Sequence, residues 1–397
     1  MRQDYGVTRA PSQLLFGAGQ RRALGRVASC LGRSVLLCTD KRIAGLPLLA
    51  EIVADLQAFD LNVAVFDATE PELPLGGIED CVAGYADFKP DVVIGLGGGS
   101  CLDLAKLVSL LLSHPGRLSD YYGEYKVPGP IRPVIAVPTT SGTGSEVTPV
   151  AVLADPDRAM KVGISSPFLI PHTAICDPEL TLSCPPGLTA ISGADALAHA
   201  IEAFAAIARK AEPDLAMTRV FVGKNGLSDH YALQAIKLIF DHLEQAVAQG
   251  DDLDARSAVM LASTYAGLAF GSAGTAAAHA IQYPVGARTH TAHGLGVGIL
   301  LPHTMDFNLS DAAADYGEIA RAIGVASNTD ADEYAAKAAI EAVRSLFGRI
   351  GIPSNLRAIG VEDADLPAMA DLAMNAARLV ENNPAALNPA AIRSILE

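Results

Sequence analysis

The sequence contains no tryptophan, few other aromatic residues (5%), and little charge, with only 18% of residues ionisable as Asp, Glu, Lys or Arg. Acidic residues outnumber basic ones by 44 to 29, so the formal net charge is −15. Because binding to a phosphate backbone needs concentrated lysine and arginine, we expect no nucleic-acid partner. No apolar run has the length of a membrane span, and the first residues lack a signal-peptide core. We therefore expect a soluble, cytoplasmic protein with no membrane partner.

The six cysteines are scattered singly, and no two of them form a C-x-x-C pair. This spacing is typical neither of a disulfide framework nor of a thiolate zinc site. The 36 glycines and 24 prolines are dispersed, which argues against low-complexity sequence. What the sequence does contain is apolar residues, which make up half of its 397 positions. That is enough for a large core and for more than one domain of average size.

The character of the sequence changes near residue 186. Before this point, short β-branched runs alternate with helical patterns, which predicts a parallel sheet with helices on both faces. The candidate strands lie at residues 34–39, 63–67, 91–96, 134–138 and 173–177. After Pro185 and Pro186, long alanine- and leucine-rich amphipathic stretches predict helices. We therefore expect an α/β domain over residues 1–186 and an all-helical domain over residues 187–397.

A glycine-rich loop follows the candidate strand at 91–96 and opens a helix. It runs from Gly95 to Lys106 as GLGGGSCLDLAK. Glycines allow close backbone approach, and a helix N-terminus offers unpaired N–H groups to a phosphate. Ser100 stands where the strict dinucleotide fingerprint has its third glycine. Taken alone, the loop is equally compatible with a structural strand-to-helix turn.

A second loop, from Pro138 to Thr148, follows the candidate strand at 134–138 and is rich in hydroxyls and glycines. Those groups are what a diphosphate and a ribose require. Two such loops after neighbouring parallel strands favour a cofactor site over an ordinary polar loop. Asp40, at the end of the strand at 34–39, can accept hydrogen bonds from an adenosine ribose and repel a 2′-phosphate, which favours NAD over NADP. A helix-capping aspartate is an equally good interpretation of Asp40.

Asp195 and His199 are four residues apart, so both side chains lie on one face of a helix and can hold one cation. His279 and His293 belong to a histidine-rich stretch further along the chain. One carboxylate and three imidazoles suit Fe²⁺ or Zn²⁺ and hardly suit Mg²⁺ or Ca²⁺. The spacing alone also fits a chance pairing on a helix surface.

In order and spacing, these motifs together resemble the iron-containing (group III) alcohol dehydrogenase family over nearly the whole chain. The matching elements are GGGS-x-x-D-x-A-K at 97–106, P-T-T-x-G-T-G-S-E at 138–146, D-P-x-L at 177–180, D-A-x-x-H at 195–199, and a histidine followed fourteen residues later by His-Gly at 279–294. The combination is far more specific than any single element.

The resemblance implies an N-terminal parallel-sheet dinucleotide-binding domain, a C-terminal all-helical metal-binding domain, an active site in the cleft between them, and a homodimer. It implies NAD and one divalent metal, Fe²⁺ or Zn²⁺, as cofactors. The implied metal ligands are Asp195, His199, His279 and His293. The implied cofactor contacts are Asp40, Gly98, Gly99, Ser100, Asp103, Thr139, Thr140, Ser145, Thr148, Lys161 and Leu180.

Tyr283 departs from the family pattern, because many members carry a second histidine four residues after the third ligand. The longer segment over residues 211–229 also departs from it, and both features are similar to the hydroxyacid–oxoacid transhydrogenase branch. Tyr283 is the catalytic candidate, as a proton relay to the substrate oxygen. A buried aromatic ring with a hydrogen-bonded hydroxyl is an equally good interpretation.

The predicted function is a metal-dependent alcohol dehydrogenase or aldehyde reductase. It transfers hydride between NAD(H) and a small alcohol or aldehyde, including one that bears an anionic group. Lys224, Arg256 and Arg288 are candidate partners for such an anion, with helical surface charges as the alternative. The alternative functions are a hydroxyacid–oxoacid transhydrogenase that retains its NAD, and a metal- and NAD-dependent lyase on the same fold. The presence of all four ligands argues against a non-catalytic binding protein.

Overall fold

The computed structural model describes residues 5–158 and 161–397, and the chain forms two compact units. The sheet unit comprises residues 9–183 and 217–220, and the helical unit comprises residues 5–8, 184–216 and 221–397. Among the described residues, no helix is both long and apolar enough to cross a membrane.

The strands lie in the sheet unit and make two sheets. Their bounds are β1 Gln13–Phe16, β2 Ser34–Cys38, β3 Asn62–Phe66, β4 Val92–Gly97, β5 Gly123–Glu124, β6 Val134–Pro138, β7 Val150–Leu153, β8 Val162–Ser165 and β9 Thr173–Cys176. The larger sheet is parallel throughout, in the order β1-β9-β6-β4-β2-β3. In the smaller sheet, β8 pairs parallel with β5 and antiparallel with β7. The central strand β4 is buried along its whole length, as expected for a strand covered on both faces.

Helices cover both faces of the larger sheet. They are α1 Leu24–Leu31, α2 Lys41–Ala44, α3 Pro47–Ala58, α4 Leu75–Tyr85 and α5 Gly99–Ser113. Apolar side chains of α1 and α3 pack on one face, and those of α4 and α5 pack on the other. The chain therefore leaves β2 toward one face and leaves β4 toward the opposite face. This divergence opens a crevice between the carboxyl ends of these neighbouring strands, the usual ligand position in such sheets.

The rest of the chain is helical. Its helices are α6 Pro186–Ala205, α7 Leu215–Thr218, α8 Gly226–Ala248, α9 Leu253–Ala273, α10 Ala277–Thr289, α11 His293–Phe307, α12 Leu309–Ala322, α13 Asp332–Arg349, α14 Leu366–Ala373, α15 Ala377–Asn382 and α16 Pro389–Leu396. In the helical unit, α6 is buried continuously over residues 193–205 and packs against α8, α9 and α11. Small residues allow this close packing, since a Cβ on Gly193 would lie 2.2 Å from Leu243 of α8.

The predicted fold class is confirmed, with a parallel sheet between helices in one unit and helices in the other. The five predicted strands correspond to β2, β3, β4, β6 and β9. The prediction missed β1 and the smaller sheet, whose strands of two to four residues carry little periodicity. It found β9, which also has four residues but is buried throughout.

Lys106 of α5 is fully buried within the sheet unit. Its Nζ donates to the carbonyl oxygens of Thr148 at 3.0 Å and Val150 at 2.8 Å, and lies 3.9 Å from the Asp103 carboxylate. Burial lowers the pKa of Lys106 to about 8, against the opposing effect of the carboxylates of Asp103 and Glu146. The ammonium group thus ties α5 to the loop after β6 and to β7.

Replacing Lys106 with methionine tests this interpretation through pH. Between about pH 8 and 10.5 the unfolded chain holds the lysine proton more tightly than the folded chain does. Wild type therefore gains stability over Lys106→Met as pH rises through this window, by about 2–3 kcal/mol. The measurement is the difference in Tm between the two proteins at about pH 7 and about pH 10, in which background titrations common to both cancel. A difference in Tm that does not change with pH would contradict the buried, proton-releasing ammonium.

Candidate functional site

The two loops predicted to hold a cofactor meet at the carboxyl ends of β4 and β6. The backbone N–H of Thr139 donates to the carbonyl oxygen of Gly97 at 2.9 Å. A Cβ on Gly99 would lie 2.6 Å from Thr143 Cγ2, so the absence of a side chain at Gly99 allows the loops to touch. The predicted contacts at residues 98–100 lie at the N-terminus of α5, where backbone N–H groups lack helical partners and suit an anion.

Asp103 and Ser145, both predicted cofactor contacts, bind each other. Ser145 Oγ donates to Asp103 Oδ1 at 2.5 Å, and the backbone N–H of Val152 donates to Oδ2 at 2.9 Å. Burial raises the pKa of Asp103, although Lys106 and these two hydrogen bonds lower it. Both carboxylate oxygens have partners within the protein, so Asp103 holds the second loop against α5.

Asp40 lies after β2, beside the glycine loop. Its Oδ1 accepts a hydrogen bond from the backbone N–H of Ile43 at 2.8 Å and caps α2. Its Oδ2 lies 3.8 Å from the Cys101 sulfur and 3.7 Å from the position that a Cβ on Gly97 would take. The capping interpretation of Asp40 is confirmed, and its second oxygen lies within hydrogen-bond distance of the Cys101 thiol at the start of α5.

Of the remaining predicted cofactor contacts, the three threonines lie in the second loop, and Lys161 and Leu180 lie elsewhere in the sheet unit. Thr139 and Thr148 are buried, and Thr140 is half-buried. Lys161, just before β8, forms an ion pair with Glu72. Leu180 is buried in the turn that follows β9.

In the helical unit, the four predicted metal ligands come together. Asp195 and His199 lie on α6, His279 lies on α10, and His293 is the first residue of α11. The ligand atoms of Asp195, His199 and His279 all lie within 4.8 Å of one another. Asp195 Oδ1 is 3.6 Å from His279 Nε2 and 3.8 Å from His293 Nε2. His293 is not part of that group of three and lies beside it, at Asp195.

Ring packing orients the imidazoles. The His199 ring stacks on Phe270 at a centroid distance of 4.2 Å and on His279 at 4.5 Å. The rings of His279 and His293 are 5.3 Å apart. The Tyr283 ring lies 6.3 Å from that of His293, which puts this half-buried phenol beside the cluster.

Glu202 is the residue of this site that the sequence analysis missed. It is buried on α6, and its Oε2 accepts a hydrogen bond from His279 Nδ1 at 2.5 Å. A signal for it was present in the sequence. Glu202 follows His199 by three residues and Asp195 by seven, a spacing that puts all three on one face of a helix. A lone glutamate in an otherwise apolar helical segment needs buried partners of this kind.

The electrostatics of the cluster suit a cation. Burial alone raises the pKa of the Asp195 carboxyl, but the imidazoles of His199, His279 and His293 lower it below its usual value. Burial lowers the pKa of His279, yet Glu202 and Asp195 together raise it to about 9. A proton on His279 therefore compensates the two carboxylates, and a metal ion would take its place.

The geometry also passes a test of fit. Among the described residues, Asp195 Oδ1 and His279 Nε2 are buried and make no hydrogen bond. Ligands bound tetrahedrally at about 2.0–2.2 Å lie about 3.4 Å apart, close to the 3.6 and 3.8 Å separations at Asp195 Oδ1. The imidazole-rich donor set suits iron or zinc. A divalent ion of this kind fits the residues present.

Comparison with known proteins gives a consistent result over the whole chain. Residues 11–178 match the family described as "Iron-containing alcohol dehydrogenase", and residues 189–397 match "Fe-containing alcohol dehydrogenase family, C-terminal". The chain belongs to the iron-containing alcohol dehydrogenase family. It is an oxidoreductase that acts on alcohols or aldehydes and uses NAD and a divalent metal, as predicted.

Individual relatives cover almost the same length. The long-chain-alcohol dehydrogenase 1 of Geobacillus thermodenitrificans is 36% identical, over 92% of this chain and 89% of that protein. The sulfoacetaldehyde reductase of Bilophila wadsworthia is 34% identical, over 97% of this chain and 96% of that protein. A crystal structure of 1,3-propanediol oxidoreductase superposes with a TM-score of 0.92 at 32% identity, covering 99% of both chains.

Three cations of this iron-containing alcohol dehydrogenase were candidates for holding a substrate anion. Lys224 pairs with Asp229 at 3.0 Å and also donates to a backbone carbonyl. Arg256 is buried and donates to two carbonyl oxygens and a threonine hydroxyl. Arg288 forms an exposed ion pair with Asp365. All three are bound to partners within the protein. The alternative of a helical surface charge fits Arg288, but it is wrong for Arg256, which is buried, and for Lys224, which lies before α8 and is largely covered.

The contact between the two nucleotide loops leads to a second prediction. A Gly99→Val side chain would meet the stiff, β-branched Thr143 and push the loops apart. We expect the affinity for NAD⁺ to fall at least about tenfold, or about 1.4 kcal/mol, while the protein keeps its metal. Gly76→Val on α4 is the matched control, because nothing lies within 4 Å of its added Cβ. Titration calorimetry measures both variants, and an unchanged affinity in Gly99→Val would show that the loops need not touch.

Proposed function

We propose that this enzyme interconverts small aldehydes and alcohols with NAD(H), and that Asp195, His199, His279 and His293 hold its metal. The observation that carries the proposal is the cluster of one carboxylate and three imidazoles from three helices, with separations of 3.6 and 3.8 Å at the Asp195 oxygen. Asp195, His199 and His279 are buried and His293 is half-buried, whereas groups that serve only as helix-surface charges stay exposed to solvent.

When bound, the metal supplies Lewis acidity to the substrate oxygen, and NAD accepts or donates the hydride. The chain's own residues supply position. Stacking between Phe270 and His279 restrains the His199 ring, so the donor atoms are preorganised. Phe270 itself is only 6% exposed and excludes water from that side of the cluster.

NAD binding is assigned to the loop ends of the sheet unit. The N-terminus of α5 and the hydroxyl-rich second loop receive the diphosphate and ribose. Asp103 contributes by holding Ser145, and the outer oxygen of Asp40 meets the adenosine ribose and disfavours a 2′-phosphate. The other proposed contacts are Gly98, Gly99, Ser100, Thr139, Thr140, Thr148, Lys161 and Leu180.

Two further features belong to the proposal. The enzyme is cytoplasmic, since its six cysteines are free and suit a reducing compartment. It is a homodimer. In its support, the outer side of the edge strand β1 pairs with no other strand among the described residues, and such edges are common sites for a second copy of a chain.

A hydroxyacid–oxoacid transhydrogenase is the second candidate, favoured by Tyr283 and by the long segment over residues 211–229. A transhydrogenase keeps its NAD and passes hydride from a hydroxy acid to an oxo acid. A dehydrogenase instead releases NADH when the hydroxy substrate is supplied alone with excess NAD⁺. The absence of released NADH, together with rapid exchange once an oxo acid is added, would favour the second candidate.

His293→Ala tests the proposed metal centre. Loss of one of four ligands removes most metal affinity and with it the polarisation of the substrate oxygen, so we expect turnover to fall by at least about 100-fold. The assay is NADH oxidation with a panel of short neutral aldehydes and a sulfonated aldehyde, the latter because of the sulfoacetaldehyde reductase relative. His303→Ala is the control, since His303 lies on the same helix and contacts the Ser354 carbonyl oxygen. Full activity in His293→Ala without bound metal would refute the assignment.

Tyr283→Phe tests the proposed proton relay. Tyr283 Oη carries a proton between solvent and the reacting oxygen, since the ring is half-buried and lies beside His293. Removal of a general acid–base group lowers kcat by about 10²–10⁴-fold, and the pH profile should change as well. Tyr231→Phe, which alters a half-buried ring packed against Tyr265, is the control. A loss under about threefold with an unchanged pH profile would mean that Tyr283 only fills space.

A further inference from the structure

We propose that Glu202 is a positioning residue of the metal centre, which makes His279 a metal ligand by holding both its ring and the start of its helix. The inference rests on the proposed function, because it assumes that His279 binds the metal. Glu202 is not itself a metal ligand in this arrangement, because both of its carboxylate oxygens accept hydrogen bonds from His279 or from backbone N–H groups.

Three contacts define the arrangement. Glu202 Oε2 accepts hydrogen bonds from His279 Nδ1 at 2.5 Å and from the backbone N–H of Ala276 at 3.0 Å. Glu202 Oε1 accepts a hydrogen bond from the backbone N–H of Ala278 at 2.6 Å. All of these groups are buried, so no solvent competes for them. One carboxylate thus satisfies three donors within a single short segment.

The first consequence concerns the tautomer of His279. An ionised carboxylate only accepts hydrogen bonds, so the ring nitrogen facing it must carry a proton. With the proton on Nδ1, the lone pair of a neutral imidazole lies on Nε2. That is the nitrogen that lies 3.6 Å from Asp195 Oδ1. Glu202 therefore presents the correct atom of His279 to the cation, as carboxylates behind metal-bound histidines do.

The second consequence concerns the backbone. Helix α10 begins at Ala277 after Ala276, a residue whose side chain cannot cap it. Glu202, from α6, supplies the missing acceptor to the N–H groups at this helix start. The same helix α6 carries Asp195 and His199. One side chain therefore fixes the third ligand, in backbone and ring, relative to the first two.

The competing explanation is that Glu202 only caps the start of α10. The Glu202→Gln variant distinguishes this explanation from the proposal. Glutamine keeps the size of the side chain, but its amide has one acceptor oxygen and one donor group. It cannot accept from His279 and Ala278 at the same time, and a donor facing Nδ1 stabilises the tautomer with its proton on Nε2. We expect the affinity for Zn²⁺, measured by competition with a chromogenic chelator, to fall about 10–100-fold.

Asp252→Asn is the matched control. Asp252 caps α9 in the same unit by accepting from the backbone N–H of Ala255 at 3.0 Å, and it also accepts from Gln245. We expect this variant to lower the Tm of the metal-free protein and to leave the affinity for Zn²⁺ unchanged. If Glu202→Gln lowers Tm but keeps its affinity for Zn²⁺ within about twofold of wild type, Glu202 is only a cap and the proposal is overturned.

A double-mutant cycle identifies the route of the effect. If Glu202 acts through His279, then Glu202→Gln should change the affinity for Zn²⁺ little in a His279→Ala background. Equal losses in both backgrounds would overturn the proposal. If Glu202→Gln does not fold, the wild-type protein still tests the proposal. The NMR spectrum of the Zn²⁺-loaded, ¹⁵N-histidine-labelled protein should contain an exchange-protected Nδ1–H signal from His279, which is identified by its loss in His279→Ala. The absence of that signal would overturn the proposal.

Failure of the proposed metal centre and failure of the inference about Glu202 give different results. If wild type binds no Zn²⁺, or if His293→Ala binds it as well as wild type does, the proposed centre fails and the inference fails with it. If His293→Ala loses Zn²⁺ while Glu202→Gln and the spectrum contradict the tautomer, the centre stands and only the inference about Glu202 is wrong.

Discussion

Burial of two carboxylates on one helix is the constraint on which the helical unit depends. Asp195 and Glu202 are almost fully buried on α6, where an uncompensated charge would be very costly. Imidazoles surround one of them, and an imidazole with two backbone N–H groups surrounds the other. The packing of α10 and α11 near α6 is therefore inseparable from the placement of His279 and His293. The groups that bring the helices together are the groups proposed to receive a cation.

The sheet unit also contains buried charges, Asp103 and Lys106, and these lie next to loops of neutral residues. Its two nucleotide loops are rich in glycine and hydroxyls, which leaves room for a ligand but gives little packing energy of their own. Asp103 and Lys106, one turn apart on α5, bind the second loop and β7 through Ser145 and the carbonyl oxygens of Thr148 and Val150. These buried charges help to hold the second loop in a single conformation.

The family is well suited to variation in substrate, because the metal ligands and loop glycines belong to helices and strand ends whose positions are set by the core. The three cations that the sequence made available for an anionic substrate are used instead to join helix ends and loops. The presence of a basic residue in the sequence therefore says little about which substrate the protein binds until the partners of that residue are known.

Much of this protein was predictable from its sequence. The alternation of β-branched and helical patterns predicted the parallel sheet and its strands β2, β3, β4, β6 and β9, because strands covered on both faces are rich in apolar and β-branched residues, even in β9 with its four residues. The four candidate ligands could be named because the order and spacing of all the motifs together resemble one family, whereas the spacing of Asp195 and His199 alone fits a chance pairing equally well. The short strands β1, β5, β7 and β8 could not be predicted, since they are specified by their neighbours in the sheet and not by local pattern.

The sequence by itself determined the residue types, their local spacing and therefore the family. Only the tertiary structure decided which of those residues meet. It brought Glu202 to His279 across 77 positions and Asp103 to Ser145 across 42, and it bound Lys224, Arg256 and Arg288 to internal partners. The physical reason is that hydrogen bonds and ion pairs act over a few ångströms in space. Sequence spacing reveals such a distance only within one helix or strand, and beyond that the packing of the core sets it.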